Sequence, residues 1–427
     1  MTTWTVAECR DPARFGALAA EWDALYRDCR TATPFQTHAW LHSWWLSYGR
    51  RGRLRLVVAR RDGRLVGVAP LMLAWRPLPV LVPLGGAVSD FCDVLLHDDC
   101  ADAAAAALAR GLRRAAAGAA LIDLREVRPG GAAERLYAHW DGPRRRLADS
   151  VCLELPGRPL TELLQRLPGP SARRTRRQLR RLDALGIEHR SVPAEEIPES
   201  VATLLELHGR QWQGRGITPE HLSPRFAEHL TRATRRLVAS GGAQLTEYRI
   251  DGRVLAADVT LMSPRMSGGY LYGAHPDLRA MKADITAMLL RHDTDHAVAA
   301  GRPVLSMLRG TEPYKRHWRP DTVVNQRLLL ARRGRGWELR RYAAQSALRS
   351  RAAGVLRDRL PAAGRRLRGL WRWTPFGAGR RRAAPARRLP PERASRPAAP
   401  RPSSGPGRPA PPRGSAGSAT PRAGSSP

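Results

Sequence analysis

The chain has 427 residues and a formal net charge of +34, with 43% hydrophobic and 26% charged residues. That length can bury two or three separate cores. No uncharged apolar run reaches the roughly 20 residues that span a bilayer, because Arg76 interrupts the best stretch, Leu65 to Leu84.

The opening MTTWTVAECRDPARF lacks a basic segment followed by an apolar one. The 5 cysteines have no C-x-x-C spacing and read as reduced thiols. The expectation is a soluble, cytoplasmic protein. The positive charge is almost all arginine, as a GC-rich genome would write it, and 24 Arg against 3 acidic residues lie from Ala331 onward. Such an excess suits nucleic acid or anionic lipid.

In chain order, residues 12–30 read as a helix with Phe15, Leu18, Trp22 and Leu25 on one face. A second helix, starting near Thr33-Pro34, carries Trp40, Leu41, Trp44, Trp45 and Tyr48, a cluster suited to core packing. LRLVVARRDGRLVGVAPLMLA is a hairpin turning at Asp62-Gly63. Short strands around LGGAVSD and FCDVLL follow, then an alanine-rich helix, the strand LIDLREV and a helix ending at Trp140.

DGRLVGVAPLM from Asp62 is echoed by DGRVLAADVTLM from Asp251, and a strand, a helix and another strand follow each. Two divergent copies of one α/β (α+β) unit are therefore expected. Their limits are placed at 1–150 and 151–332, with a helical insertion at 160–240.

That insertion holds RRTRRQLRRLDALG, a helix capped by Ser171 and stopped at Gly186, with Arg173, Arg176, Arg177 and Arg180 on one face. It also holds LLELHGRQWQGRG, which sets His208 and Trp212 one turn apart before Arg215-Gly216. Residues 333–375 read as a basic amphipathic helical segment with Trp371 and Trp373, suited to an anionic membrane surface or an acidic protein. Residues 376–427, rich in Pro, Arg, Ala and Gly, read as disordered.

The richest stretch is Gly268 to Trp318. It reads as a strand at Gly269–Gly273, a loop, a helix, a second strand at Val304–Leu308 and the turn RGTEPYK. Ile285, Met288, Leu289, His292, His296 and Ala299 give that helix an apolar stripe. Its N-terminus favours an anion such as a pyrophosphate. The chain's only lysines, Lys282 and Lys315, fall here, where a compact ammonium replaces the planar guanidinium used elsewhere. His292 and His296, four apart, lack a third ligand at sensible spacing, so no metal is expected.

Taken in order, PFQTHAW, RRDGRLVGVAPLML, LGGAVSDFCDVLL, RRTRRQLRRLDALG, LHGRQWQGRG, IDGRVLAADVTLM and RGTEPYKRHW resemble the GNAT-superfamily acyltransferases associated with cellulose and exopolysaccharide biosynthesis, the CelD-like type. More remotely they resemble the Fem-type aminoacyltransferases of peptidoglycan. The resemblance covers residues 5–332 and implies tandem GNAT-like domains, the second holding the acyl-donor site. It implies acyl-CoA, usually acetyl-CoA, as co-substrate, bound by Tyr272, Gly273, Arg279, Met281 and Lys282. Glu312, Tyr314, Lys315 and Asp258 would handle protons, and Asp90, Asp93, His208, Trp212, Arg215 and Arg309 would hold the acceptor.

One departure concerns the phosphate-binding loop, where Arg279-Ala280-Met281-Lys282-Ala283-Asp284 has Lys and Asp at the family's glycine positions. Three readings of function follow. The first is acyl transfer from coenzyme A to an amine or hydroxyl of a sugar or envelope precursor. The second is aminoacyl transfer from tRNA, and the third is a silent scaffold docking at the inner face of the membrane. The oligomeric state is not legible in the sequence.

Overall fold

Asp62-Gly63 and Asp251-Gly252 take left-handed backbone in pairs, φ 50° and 81° in the first turn and 48° and 74° in the second. A two-residue hairpin of this twist needs that geometry, which aspartate followed by glycine supplies at little cost. The computed structural model describes residues 2–212 and 218–359, with side chains through Arg349.

The first copy runs β1 (Trp4–Cys9), α1 (Pro12–Ala17), α2 (Ala19–Arg27), α3 (His38–Tyr48), β2 (Leu54–Arg61), β3 (Arg64–Trp75), β4 (Pro79–Pro83), β5 (Leu95–Leu96), α4 (Ala101–Ala115), β6 (Leu121–Val127), α5 (Ala132–Ala138) and β7 (Arg144–Pro156). Next come α6 (Leu160–Leu163) and α7 (Gly169–Ala184). The second copy runs β8 (Glu188–Ser191), α8 (Ile197–Trp212), α9 (Pro224–Ala239), β9 (Ala243–Ile250), β10 (Arg253–Met262), β11 (Met266–Ala274), α10 (Pro276–Ala280), α11 (Ile285–Ala299), β12 (Val304–Arg309), α12 (Pro313–Arg316) and β13 (Asp321–Leu330). Helix α13 (Gly336–Arg359) follows.

All strands join one mixed sheet, in the order β1-β2-β3-β4-β6-β13-β7-β12-β11-β10-β9-β8, with β5 added to β3. Read from its two ends, the order is the same for both copies: four antiparallel strands, then one parallel partner. The last strands are exchanged. β7 of the first copy pairs with β12 of the second, and β13 of the second pairs with β6 of the first. Both β6 and β12 carry a residue of left-handed backbone near their ends, Glu126 (φ 56°) and Leu308 (φ 58°), beside register shifts in the pairing. The boundary placed at residue 150 thus falls inside β7, a strand that serves the other copy's sheet.

One face of the sheet carries a core that both copies share. Helix α3 packs on α9 through the Trp40 ring, 4.6 Å from that of His229, and through Ser43 Oγ, which donates to His229 O at 2.9 Å. Trp22, Trp40, Trp44 and Trp45 are all buried there. An alanine-lined core under α4 serves the first copy, and one under α7, α10 and α11 serves the second.

Four local readings are corrected. The helix read over 12–30 breaks at Leu18, whose N–H turns back to Phe15 O. Helix α7 starts at Gly169 behind Pro168, not at a Ser171 cap, because Pro170 can occupy its first turn. The buried face of α11 is Ala287, Met288, Leu290, Asp293, Thr294 and Ala297. The expected stripe shared only Met288 with it, because two polar side chains are satisfied where they are buried, Asp293 by Thr260 of β10 and Thr294 by the Leu290 carbonyl one turn back in α11. Helix α13 is no free amphipathic arm at its start: Leu339, Tyr342 and Ala343 are buried, and Tyr342 Oη donates to Asp123 at 2.8 Å. Trp371, Trp373 and the rest of that segment, with the tail expected to be disordered, lie outside the described residues. No described helix is long and apolar enough to cross a membrane.

Candidate functional site

Strands β11 and β12 run parallel and pair only over Met266–Gly268 and Val304–Ser306. Beyond Gly268 they part. At the same place β11 inserts one extra residue, Tyr270, against β10, and such a bulge increases twist and turns a strand edge outward. The edge left without β12 is met by α8. His208 Nδ1 donates to Tyr272 O at 2.7 Å, and Ala274 N donates to Gln211 Oε1 at 2.9 Å. Gly273 permits this approach, because a Cβ there would lie 2.4 Å from His208 N and 2.6 Å from Leu204 O.

Where β11 gives way to α10 and α11, a pocket of about 110 Å³ is lined by Arg210, Gln211, Ala274, His275, Pro276, Arg279 and Ile285. Two guanidinium groups and the first residue of α11 meet there. Arg279 is exposed, as are Met281 and Lys282 on the connection to α11, and Asp284 caps α11 by accepting from Ala287 N at 3.1 Å. Lys282 has φ 56°. The lysine that departs from the glycine pattern thus adopts the left-handed conformation that glycine takes without cost.

The mouth of the splay is tied by Arg309. It bonds Asp90 through Nε, Ala87 O through Nη2 at 2.7 Å, and Glu126 through Nη1 at 3.3 Å. Burial opposes its charge, but Asp90 and Glu126 outweigh burial and raise its pKa. Asn325 of β13 donates to Glu126 Oε2 at 3.1 Å. Lys315 is buried, donating to Arg309 O at 2.8 Å and pairing with Glu312 at 3.0 Å. Tyr314 is about one-third exposed, and burial of the rest of the ring first, and Tyr272 second, raise its pKa.

Other predicted residues lie apart from this mouth. Asp93 accepts from Val94, Ala132 and Ala133 N–H groups at 2.7 to 2.9 Å and so holds the start of α5. Asp258 lies under α11, where Thr260 Oγ1 bonds both Asp258 (3.0 Å) and Asp293 (2.6 Å). Burial first, and Asp293 second, push the Asp258 carboxyl well up. Trp212 packs its ring 6.3 Å from that of His208, and Arg215 lies outside the described residues. His292 Nε2 meets Thr246 Oγ1 at 3.0 Å, and His296 Nε2 meets Met262 Sδ at 2.9 Å. Sequence reasoning missed Arg210, Gln211 and His275, which line the pocket, and His221, which bonds His208 at 3.2 Å. Only the placing of α8 beside β11 reveals them.

Residues 171–316, from α7 through α12, match the family model described as an acetyltransferase (GNAT) domain. The chain carries a GNAT acyltransferase domain. No curated protein matches the chain. Among solved structures it is similar to FemX, at 13% identity with TM-score 0.53, over 73% of this chain and 95% of that one. It is likewise similar to a conserved protein of unknown function from Bacteroides thetaiotaomicron, at 12% identity and TM-score 0.52, over 77% and 100%. A third is the C-terminal domain ascribed to a lysylphosphatidylglycerol synthetase from Agrobacterium fabrum, at 12% identity and TM-score 0.50, over 81% and 98%. At these identities the likeness is one of fold. The GNAT match makes the chain a GNAT-like acyltransferase, and it falls on the copy whose splay and pocket are described above.

Proposed function

We propose that the chain moves an acyl group from acyl coenzyme A, acetyl being the simplest, to an amine or hydroxyl of a sugar or cell-envelope precursor, as the CelD-like resemblance suggests. The observation that carries this reading is the β11–β12 splay, which ends at a pocket with Arg210, Arg279 and His275 at the start of α11. A thioester lying in the splay would meet unpaired backbone of β11, which polarises its carbonyl, while the phosphates reach the arginines and the helix terminus. Coenzyme A suits these residues, because Lys282 supplies an exposed ammonium on the connection into α11 without disturbing the turn. Glu312, Tyr314 and Lys315 line the acceptor side in this reading, and Lys315 acts by holding the Arg309 carbonyl.

Calorimetric titration of acetyl coenzyme A tests the donor. One-site binding, weakened at least tenfold in Arg279→Ala and in Lys282→Ala, is expected. Lys282→Gly is expected to lose the same affinity while gaining about 1 kcal/mol of stability from relieved backbone strain, which separates charge from conformation. No saturable binding by the unaltered chain would remove coenzyme A as donor.

A second reading is aminoacyl transfer from tRNA. It is favoured by the exposed arginines of α7, Arg173, Arg176, Arg177 and Arg180, on a helix fastened to α11 by Arg291 and Asp183 at 2.6 Å. Its mark is tRNA binding that weakens steeply with salt and collapses when those arginines become Gln. Docking of the C-terminal basic segment to an anionic membrane or an acidic protein is compatible with either reading. It would act through residues beyond α13.

A further inference from the structure

We propose that His221 is the base that takes the acceptor's proton during acyl transfer, and that His208 is the positioning residue that sets its tautomer. The inference rests on the acyl-transfer reading and assigns its proton step.

The argument begins at a carbonyl. Tyr272 O can only accept, so His208 Nδ1, 2.7 Å away, must carry a hydrogen. A neutral His208 then has a bare lone pair on Nε2. That nitrogen lies 3.2 Å from His221 Nδ1, which must in turn carry a hydrogen and donate it. The lone pair of His221 is therefore left on Nε2, and among the described residues the one side-chain hydrogen bond of His221 is the one through Nδ1. A strand carbonyl has thus fixed, through two rings, which nitrogen is free to accept a proton.

Both rings stay neutral where they sit. Burial lowers His208, and burial first and His208 second lower His221 to about 4. His221 contacts His208 and the Phe226 ring, stacked at 4.7 Å, and the charges that act on it come from the carboxylates of Asp90 and Glu220. Glu220 is itself held by Tyr48 at 2.7 Å, Ser223 at 2.8 Å and Arg225 at 2.8 Å. Asp90, itself bonded to Arg309, and Glu220, bonded to Arg225, act on His221 through their charge alone and favour the imidazolium. His221 is only partly exposed, on the short turn Pro219–Leu222 that packs against α8 and α9. The carbonyl at the root of the relay belongs to the splayed strand itself, so the relay links His221 to the strand that the proposed donor would line.

The step balances. The acceptor nitrogen or oxygen attacks the thioester carbonyl carbon and gives its proton to His221 Nε2, while the carbonyl π pair moves to oxygen against the β11 backbone. Collapse re-forms the carbonyl and breaks the C–S bond, and the proton passes from His221 to the departing thiolate of coenzyme A. Buried Lys315, bound to Glu312 and a carbonyl, has no comparable lone pair to offer.

The test uses the full chain and two readouts. In long-range proton–nitrogen spectra of the 15N-labelled protein at pH 7, His221 is expected to show an unprotonated Nε2, and His208→Leu to convert it to a mixture of tautomers. A protonated Nε2 on His221 at pH 7 overturns the relay. With acetyl coenzyme A alone and water as the acceptor, thiol release by His221→Gln is expected to fall at least 100-fold, with calorimetric affinity for acetyl coenzyme A unchanged. The wild-type rate is expected to hold down through pH 6 and to fall as pH nears 4. Undiminished release by His221→Gln overturns the base. Failure of the wild type to bind acetyl coenzyme A overturns the donor reading instead, and the tautomer spectrum then decides the relay alone.

Discussion

Arg309, in the strand that borders the splay, bonds the carboxylate of Asp90, 219 residues earlier in the chain. The loop of one copy is thereby tied to β12 of the other, and Glu126 and the Ala87 carbonyl complete the tie. Arg309 was expected to hold substrate, and its three bonded nitrogens are instead engaged within the protein.

Arg309→Met should therefore leave Asp90 and Glu126 facing each other without a cation. Because the site is partly open to solvent, the expected loss is about 3 kcal/mol, the low end for breaking a buried pair. Arg309→Lys should restore little, since one ammonium cannot serve three separately placed acceptors. Urea unfolding of the three proteins measures both effects, and full stability in the Met variant would refute the tie.

Gly273→Ala is expected to cost at least about 2 kcal/mol, because the new methyl meets backbone of α8 and not a side chain that can turn away. It should also loosen the bond from His208 to Tyr272 O and weaken acetyl coenzyme A binding. Gly186→Ala, at an exposed left-handed position with open space around it, serves as the control. It should lower the melting temperature through backbone strain alone and leave binding intact.

Burial raises the folded-state pKa of both Asp258 and Asp293 above the ordinary carboxylate value. The protonated pair fits its site, so its contribution is complete below pH 4 and is lost as pH rises through the raised folded-state values. Asp293→Asn removes one of the two ionisations. Above pH 7 it should be the more stable protein, by on the order of 1 kcal/mol, and below pH 4 it should show no advantage. Calorimetric melting at several pH values decides this, and parallel curves for the two proteins would contradict it.

A chain ending at Arg332 should be markedly less stable than one ending at Arg359. The shorter cut removes Leu339, Tyr342 and Ala343 from the core and bares the buried Asp123–Arg327 pair. Tyr342→Phe isolates one part of this, the hydroxyl bond to a buried carboxylate, and should cost about 1.5 kcal/mol. Equal melting of the two truncated chains would show that α13 contributes nothing to the fold.

Much of this architecture was legible in local chemistry. Aspartate-glycine turns, strands bounded by polar turns, the stop at Gly186 and the duplicated DGR hairpin each depend on residues within a few positions of one another, where backbone sterics and periodicity decide the outcome. The stretch from β11 to α12 was legible for the same reason, as a strand, a short loop, a helix, a second strand and a turn.

What only the tertiary structure decided are choices among equivalent partners. Backbone edges of β6 and β12 present the same hydrogen-bonding groups, so no local signal tells β7 and β13 to change places. His208 was expected at the acceptor, and only α8 lying across Gly273 shows its bonds to the Tyr272 carbonyl and to His221. Asp258 and Asp293, 35 positions apart, became a shared proton site only when burial removed the water that would have kept them independent, and desolvation is a property of the folded chain, not of either residue.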